Sequence, residues 1–349
     1  MKRIRCYIYR EGHDFTLPER FTAMSRVRPE TAECVVDLPD GGHAPHPDHF
    51  EPVSPEAAEI FLFPYDLGYI LNYLSPAETA SYLRDLPYLQ GREARHVFSD
   101  NSDSPACILL PVLLFKRSLL KFAGEDQGQV TSLQRLNEHQ DAPFPVITWY
   151  SLPKHVAEDK PSFSPQDIRY DCSFVGGYSN IIRKAAVKSL ERQEDIRFYS
   201  GGFDSIRFER NYFLHHPQTS EEKRRRQEIF RRVTRASLTV LCPPGVGPQS
   251  IRMYEVMYYG RIPVLFTRKI CYPFEDHIDY EAFCLFIEEE DIVRTGPVLR
   301  RWLDEQGDEA LWKKCLLACK TWNTWFSERN RVPRMADCVR DHIKRLNAC

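Results

Sequence analysis

The segment CPPGVGPQSIRMYEVMYYGRIP, residues 242–263, sets a serine, an arginine and a glutamate in the spacing SxRxxE just behind two glycines, and the apolar run ASLTVLC leads into it. Gly245 and Gly247 let the backbone approach a ligand closely, and Pro248 suits the first turn of a helix whose unpaired N–H groups attract phosphate. Ser250 adds a hydroxyl donor, and the Arg252 guanidinium presents a fork that matches two phosphate oxygens. Glu255, one turn on, is placed to accept from sugar hydroxyls, as acidic residues do with ribose. Together these groups suit a nucleotide diphosphate. The spacing also allows a plainer reading, because Arg252 and Glu255 at i, i+3 can simply pair on a helix surface for about 0.2–0.5 kcal/mol. A second glycine turn, FVGGYSNIIRKA, ends a strand at Gly176 and Gly177, offers Ser179 or Asn180 as a helix cap, and brings Arg183 one turn further.

Such turns need parallel strands behind them. From residue 171 the chain alternates CSFVGG, SNIIRKAAVKSLERQ, IRFYSGG, TSEEKRRRQEIFRRVTRA, SLTVLCP, PQSIRMYEVMYYG and RIPVLF. Strand and helix periods follow one another regularly, which favours a doubly wound sheet with right-handed crossovers. In such a sheet ligands bind beyond the carboxyl ends of the strands. The amino-terminal half contributes strand-like runs in IRCYIY, FTLPERFTAMSRV, AECVVDLP, EIFLFPYDLGYIL, ARHVFSDN, PACILLPVLLF, QVTSL and FPVITWYSLP, with a helix started at Ser75 by a capping box to Glu78. Residues 151–170 are polar, carry three prolines and read as a linker. The tail from Asp291 is helical, with a last segment after Pro333. At 349 residues the chain exceeds what one core usually supports, so two α/β domains are expected, over 1–155 and 165–325, with 326–349 as a terminal helix packing back on the first.

Composition removes several function classes. A net charge of -2 supplies no global field for nucleic acid or anionic lipid. The arginine-rich stretch TSEEKRRRQEIFRRVTR interleaves its cations with Glu221, Glu222 and Glu228, and Thr219 with Glu222 forms a capping box, so it reads as a solvated, salt-bridged helix. No secretory signal and no membrane span is legible. Eleven cysteines without a CxxC pair read as reduced thiols of a cytoplasmic protein, with Cys315 and Cys319 placed for packing rather than metal. His43, His46 and His49 recur in a proline-broken stretch that reads as a solvated loop.

The segment CPPGVGPQSIRMYEVMYYGRIPVLF resembles the core motif of the exostosin-like glycosyltransferases, glycosyltransferase family 47, whose pattern runs CPxGxGxxSxRxxEAxxxGxIPVxx. YPFEDHIDYEAFCLFIEEEDI is similar to that family's LPFxxxIDWxxFSVxxxExDI segment, and CSFVGGYSNIIRKAAV to its FFxGxxxxxxR element. CYIY, AAEIFLFPYD and GREARHVFSDNSD are looser versions of its amino-terminal landmarks. The resemblance implies a GT-B fold, two Rossmann-like domains with parallel sheets facing across a cleft. It implies an inverting transfer of a sugar from a nucleotide diphosphate donor, most often UDP-linked, to a glycan or glycolipid hydroxyl, with no cofactor and no metal.

The sequence contains no DxD triplet, the motif by which metal-dependent glycosyltransferases hold a cation on the diphosphate. Carried onto this chain, the resemblance gives Ser250, Arg252 and Arg183 the diphosphate, Glu255 the hydroxyls, and Gly245 and Gly247 the loop. The general base is expected from the amino-terminal domain, with Asp66 and Asp103 as candidates and His96 as a structural alternative. Two positions depart from the pattern, Val256 for its alanine and Arg261 for its cysteine, and Arg261 is expected to complement its own helix dipole. Relatives in animals and plants usually carry a Golgi anchor that is not legible here, which is expected of a cytoplasmic bacterial or viral enzyme or of a soluble piece. A catalytically idle glycan-binding subunit is the alternative to an enzyme.

Overall fold

The computed structural model describes residues 2–16, 35–37, 43–67, 70, 74–100, 110–116, 144–147, 152–159, 164–178, 180–203, 220–245, 249–268 and 270–348. Asp103, Ser179, Thr219, Gly247, Pro248, the stretch QVTSL and most of FTLPERFTAMSRV lie outside them. The chain divides into two compact units, one of Met1–Tyr150, Lys269–Pro273 and Ser327–Cys349, the other of Ser151–Arg268 and Phe274–Phe326.

The first unit carries β1 (Ile4–Ile8), β2 (Val35–Asp37), β3 (His43–Pro45), β4 (Phe50–Pro52), β5 (Ile60–Asp66), α1 (Pro76–Arg84), β6 (His96–Asp100), β7 (Leu113–Lys116) and β8 (Phe144–Ile147). Six of these strands form one parallel sheet in the order β4-β1-β5-β6-β7-β8, and β2 pairs antiparallel with β3. The histidine-containing stretch expected as a loop therefore contributes two short strands. Fully buried Phe50 explains the second: it stands opposite Ile4 and fixes β4 against β1. The capping box of α1 forms as read, with the Ser75 N–H donating to Glu78 Oε2 at 2.7 Å and the Glu78 N–H to Ser75 Oγ at 3.3 Å.

The core on one face of this sheet is aromatic, built on Tyr7, Tyr9, Phe61, Phe63 and Phe98. His96 belongs to it. Its ring stacks on Phe61 with centroids 4.8 Å apart, its Nδ1 lies 2.8 Å from the Arg92 carbonyl oxygen, and its Nε2 lies 2.8 Å from the Tyr9 hydroxyl. A carbonyl can only accept, so Nδ1 carries the proton and Nε2 accepts from Tyr9.

The second unit carries α2 (Lys154–Ala157), β9 (Tyr170–Gly177), α3 (Ile181–Leu190), β10 (Phe198–Phe203), α4 (Ser220–Arg235), β11 (Ser237–Cys242), α5 (Arg252–Tyr258), β12 (Ile262–Phe266), β13 (Leu285–Ile287), α6 (Thr295–Gln306) and α7 (Asp308–Thr321). Its five strands are parallel in the order β10-β9-β11-β12-β13. Strand β12 is buried along its whole length, as a central strand covered on both faces requires. The terminal helix, α8 (Glu328–Ala348), runs through Pro333 rather than starting after it, and its His342 Nε2 lies 2.6 Å from the Ala94 carbonyl oxygen within the first unit.

Two local readings are corrected. Residues 151–170 are not a bare linker: Val156 on α2 is fully buried, and Asp159 accepts from the Tyr259 hydroxyl at 2.9 Å while pairing with Arg235. Arg261 reaches beyond its own helix, although its Nη1 also donates to the Gly260 carbonyl oxygen at 3.3 Å. It is fully buried and donates from Nε and Nη2 to the Arg235 carbonyl oxygen at 3.0 and 2.7 Å, so it satisfies the last carbonyl of α4.

Burial pulls the His96 pKa down to about 4 from 6.5. The unfolded chain then binds the proton more readily, so this contribution to stability is full above about 6.5 and is lost as the pH falls through about 4. Denaturant titrations from pH 7 to pH 4 are expected to show wild type losing on the order of 3 kcal/mol more than His96→Phe.

Candidate functional site

Strand order locates a crevice in the second unit. The chain leaves β9 toward β10 on one side and leaves β11 toward β12 on the other, so the loops at the carboxyl ends of adjacent β9 and β11 diverge. Such a switch point is where open parallel sheets bind ligands. Both glycine turns identified in the sequence stand at it.

The turns are held together by Asn180. Its Oδ1 accepts the Arg183 N–H at 3.0 Å and so caps α3, while its Nδ2 donates to the Pro244 and Gly245 carbonyl oxygens, each at 3.0 Å. Arg183 repeats the connection: Nε donates to the Pro244 oxygen at 2.9 Å and Nη1 to the Gly177 oxygen at 2.8 Å. The two loops, far apart in sequence, thus become one surface.

Arg252 reaches the same place from α5. Its guanidinium carbon lies 5.2 Å from the Phe174 ring centre and 5.7 Å from that of Phe230, with the cation on aromatic faces. A side chain on residue 176 would put its Cβ 2.7 Å from Arg252 Nη2, and one on residue 245 would put it 3.0 Å from Arg183 Nη2. The guanidiniums thus lie against the Gly176 and Gly245 backbones, and a side chain at either position would have to push one of them aside. Two like charges converge here. Burial and then the neighbouring Arg252 bring the Arg183 pKa down to about 10. Among the described residues no carboxylate pairs with either guanidinium, and the buried Arg252 Nε has no hydrogen-bond partner. Buried donors of this kind are costly unless a ligand or water accepts from them.

Glu255 is buried on the same helix and does not form a salt bridge with Arg252, which removes the surface-pair reading. Burial raises its carboxyl to about 7, and the positive field of Arg252 offsets only part of that. Ser250 is buried at the start of this segment, and its carbonyl accepts the Met253 N–H at 3.1 Å. Helix α5 itself starts at Arg252, spans 7 residues and has no side-chain cap. The positive character of the site therefore comes chiefly from the two guanidiniums, not from the helix end expected in the sequence reading.

The structure brings together Arg183, Gly245, Ser250, Arg252 and Glu255, while Gly247 lies outside the described residues. Asp66 is buried at the carboxyl end of β5 in the first unit. Asp103 lies outside the described residues. Sequence reasoning passed over Phe174 and Phe230, whose apolar spacing marked them only as core. It named Asn180 as a cap without its cross-link.

Residues 207–302 match the Exostosin GT47 domain. Probable glucuronosyltransferase GUT1 of Oryza sativa subsp. japonica is 33% identical over 84 residues, 24% of this chain and 18% of the relative. Probable glucuronosyltransferase 47 A of Physcomitrium patens is 39% identical over 79 residues, 22% of this chain and 17% of the relative. Probable beta-1,4-xylosyltransferase IRX10 of Arabidopsis thaliana is 37% identical over 59 residues, covering 17% of this chain and 14% of the relative. These matches thus span less than a fifth of each curated relative. The backbone resembles that of a glycosyltransferase from Rickettsia africae ESF-5 at TM-score 0.47 and 10% identity, over 98% of this chain and 99% of that one. The exostosin-like character read from the sequence holds, and two parallel-sheet α/β units are the composition of a GT-B fold.

The raised Glu255 pKa has a measurable consequence. A native carboxyl that holds its proton up to about 7, against 4.5 for an ordinary glutamate, favours the fold below about 4.5 and loses that contribution as the pH rises through about 7. Glu255→Gln is expected to gain on wild type by on the order of 3 kcal/mol between pH 4.5 and pH 8, read from denaturant midpoints.

Proposed function

We propose that this chain, through its exostosin-like GT47 domain, is a glycosyltransferase that moves a sugar from a nucleotide diphosphate donor, UDP-linked, to a glycan hydroxyl with inversion. The observation that carries the reading is the pair of half-buried guanidiniums at a switch point, without a carboxylate partner among the described residues. An anion with two adjacent charges answers that arrangement, and a diphosphate is such an anion.

In this reading Arg252 and Arg183 take the diphosphate oxygens in the donor complex. They oppose the charge that grows on the leaving group as the glycosidic bond breaks, which is where electrostatic catalysis has most effect. The absence of a DxD triplet from the sequence agrees with guanidiniums taking the place of a cation on the diphosphate. Ser250 adds a hydroxyl donor, Gly245 and Gly247 shape the loop, and Glu255 accepts hydroxyls of ribose or sugar. The names of the relatives make UDP-glucuronic acid and UDP-xylose the donors to try first, with xylo-oligosaccharides as acceptors. Asp66 and Asp103 are the carboxylates that the sequence offers for the acceptor proton.

Calorimetric titration with UDP is expected to show binding that Arg252→Gln weakens by roughly 10- to 100-fold, the loss of one charge-assisted contact, with the melting temperature of the free protein little changed. Equal UDP affinity in the variant would remove Arg252 from the diphosphate. Binding of UDP with no sugar transfer from any donor of that panel would favour the idle glycan-binding subunit.

A further inference from the structure

The second unit has a cavity at the opposite end of its sheet from Arg183 and Arg252. It measures about 790 Å³ and lies beside the end of α4 and the start of β9, with Gln166, Tyr170 and Ala236 in its lining. Cavities of about 300–1,000 Å³ are the size of ligand sites. Tyr170 begins β9, and Gly177, whose carbonyl oxygen Arg183 holds, ends it. A strand of 8 residues spans roughly 23 Å, so a group bound at Tyr170 is out of reach of the donor crevice.

The lining carries both signs of charge, but they are not matched one to one. Each carboxylate in it faces a cation: Asp159 pairs with Arg235, Glu228 with Arg231, Glu158 with Lys154 at 3.7 Å, and Asp167 faces the buried Arg261. Two of those cations, Lys154 and Arg261, stand outside the lining. Arg169 and Arg232, which are part of it, are therefore left over. Both are exposed, and neither side chain has a hydrogen bond or an ion pair among the described residues.

One residue anchors both. The Ala236 N–H donates to the Arg232 carbonyl oxygen at 3.2 Å, and the Ala236 carbonyl oxygen accepts the Arg169 N–H at 2.8 Å, so two segments far apart in sequence bring their guanidiniums to the same junction. The carboxyl end of a helix repels anions. Here the last carbonyl of α4 is taken by Arg261, at 3.0 and 2.7 Å, which offsets that partial charge. The Gln166 amide and the Tyr170 hydroxyl add uncharged groups that can donate and accept.

A nucleic acid would set a row of phosphates against the carboxylates of this lining, and a neutral sugar would leave its two spare guanidiniums unanswered. Sugars that carry carboxylates answer both features. Their carboxylates match the arginine forks, and their hydroxyls donate to the Glu158 carboxylate, the Gln166 amide oxygen and the Tyr170 hydroxyl. We propose that this cavity is a non-catalytic binding site for an acidic oligosaccharide, held at its carboxylates by Arg169 and Arg232. The site stands on its own lining and not on the donor reading above.

The test is calorimetric titration of the full chain with trigalacturonate, with its neutral counterpart galactotriose and with inorganic phosphate, each in the presence and absence of UDP. Trigalacturonate is expected to bind about tenfold or more tightly than galactotriose, and equally well with or without UDP. Arg169→Gln and Arg232→Gln, both at exposed positions, are each expected to weaken it by roughly 3- to 20-fold with UDP affinity and melting temperature unchanged. Arg252→Gln is expected to leave it untouched. Equal binding of the two trisaccharides, displacement of trigalacturonate by an equal concentration of phosphate, or unchanged affinity in the variant carrying both Arg169→Gln and Arg232→Gln overturns the site. Loss of trigalacturonate binding in Arg252→Gln also overturns it, by placing the ligand in the donor crevice. A chain that binds trigalacturonate in this way and not UDP keeps the site and loses the donor reading, and the reverse result keeps the donor reading and loses the site.

Discussion

The second unit is organised around a repulsion. Arg183 and Arg252 bring like charges together at the carboxyl ends of β9 and β11, and no carboxylate among the described residues neutralises them. Each is tolerated by a different device. Arg183 spends its donors on the Pro244 and Gly177 carbonyls, whose dipoles are fixed by the turns themselves. Arg252 rests on aromatic faces, which attract a cation without supplying a charge that an incoming anion would have to displace. Much of the surrounding sequence follows from holding these two groups: glycine at 176 and 245, asparagine at 180, phenylalanine at 174 and 230.

The two units reuse one topological solution. In each, a parallel sheet has adjacent strands whose carboxyl-end loops leave in opposite directions. What differs is the sign of the group presented. The second unit presents two guanidiniums without a carboxylate partner among the described residues, while the first presents an ionised carboxylate beside an imidazole.

The sequence made the second unit legible because its signals are local. Alternating strand and helix periods, glycine pairs at strand ends and SxRxxE all act over a few residues, and they place β9, β11 and Arg252 correctly. Contacts across long sequence separations were not legible. Arg261 reads as a helix-end residue of α5, yet it is buried against the Arg235 carbonyl, because β12 runs beside the end of α4. Asn180 reads as a cap, and only the register of β9 against β11 brings it to Pro244. His13 and Asp14 are neighbours in sequence, but nothing in REGHDF says that the aspartate is buried under Tyr7 and the histidine exposed.

The separation of Glu255 from Arg252 is the least obvious part of the design. A surface pair at this spacing would contribute about 0.2–0.5 kcal/mol, and in the interior the attraction would be larger. In the proposed donor complex, such a pair would have to be broken, or its carboxylate tolerated, beside the diphosphate. Instead, burial lifts the Glu255 carboxyl to about 7, so that around neutral pH much of it is uncharged and subtracts little from the positive field of the guanidiniums. In the proposed donor complex, hydroxyl donors brought to Glu255 would favour its carboxylate form while the diphosphate would balance the cations. One helix turn thus carries Arg252 and, buried without a salt bridge to it, a glutamate whose carboxyl is lifted to about 7.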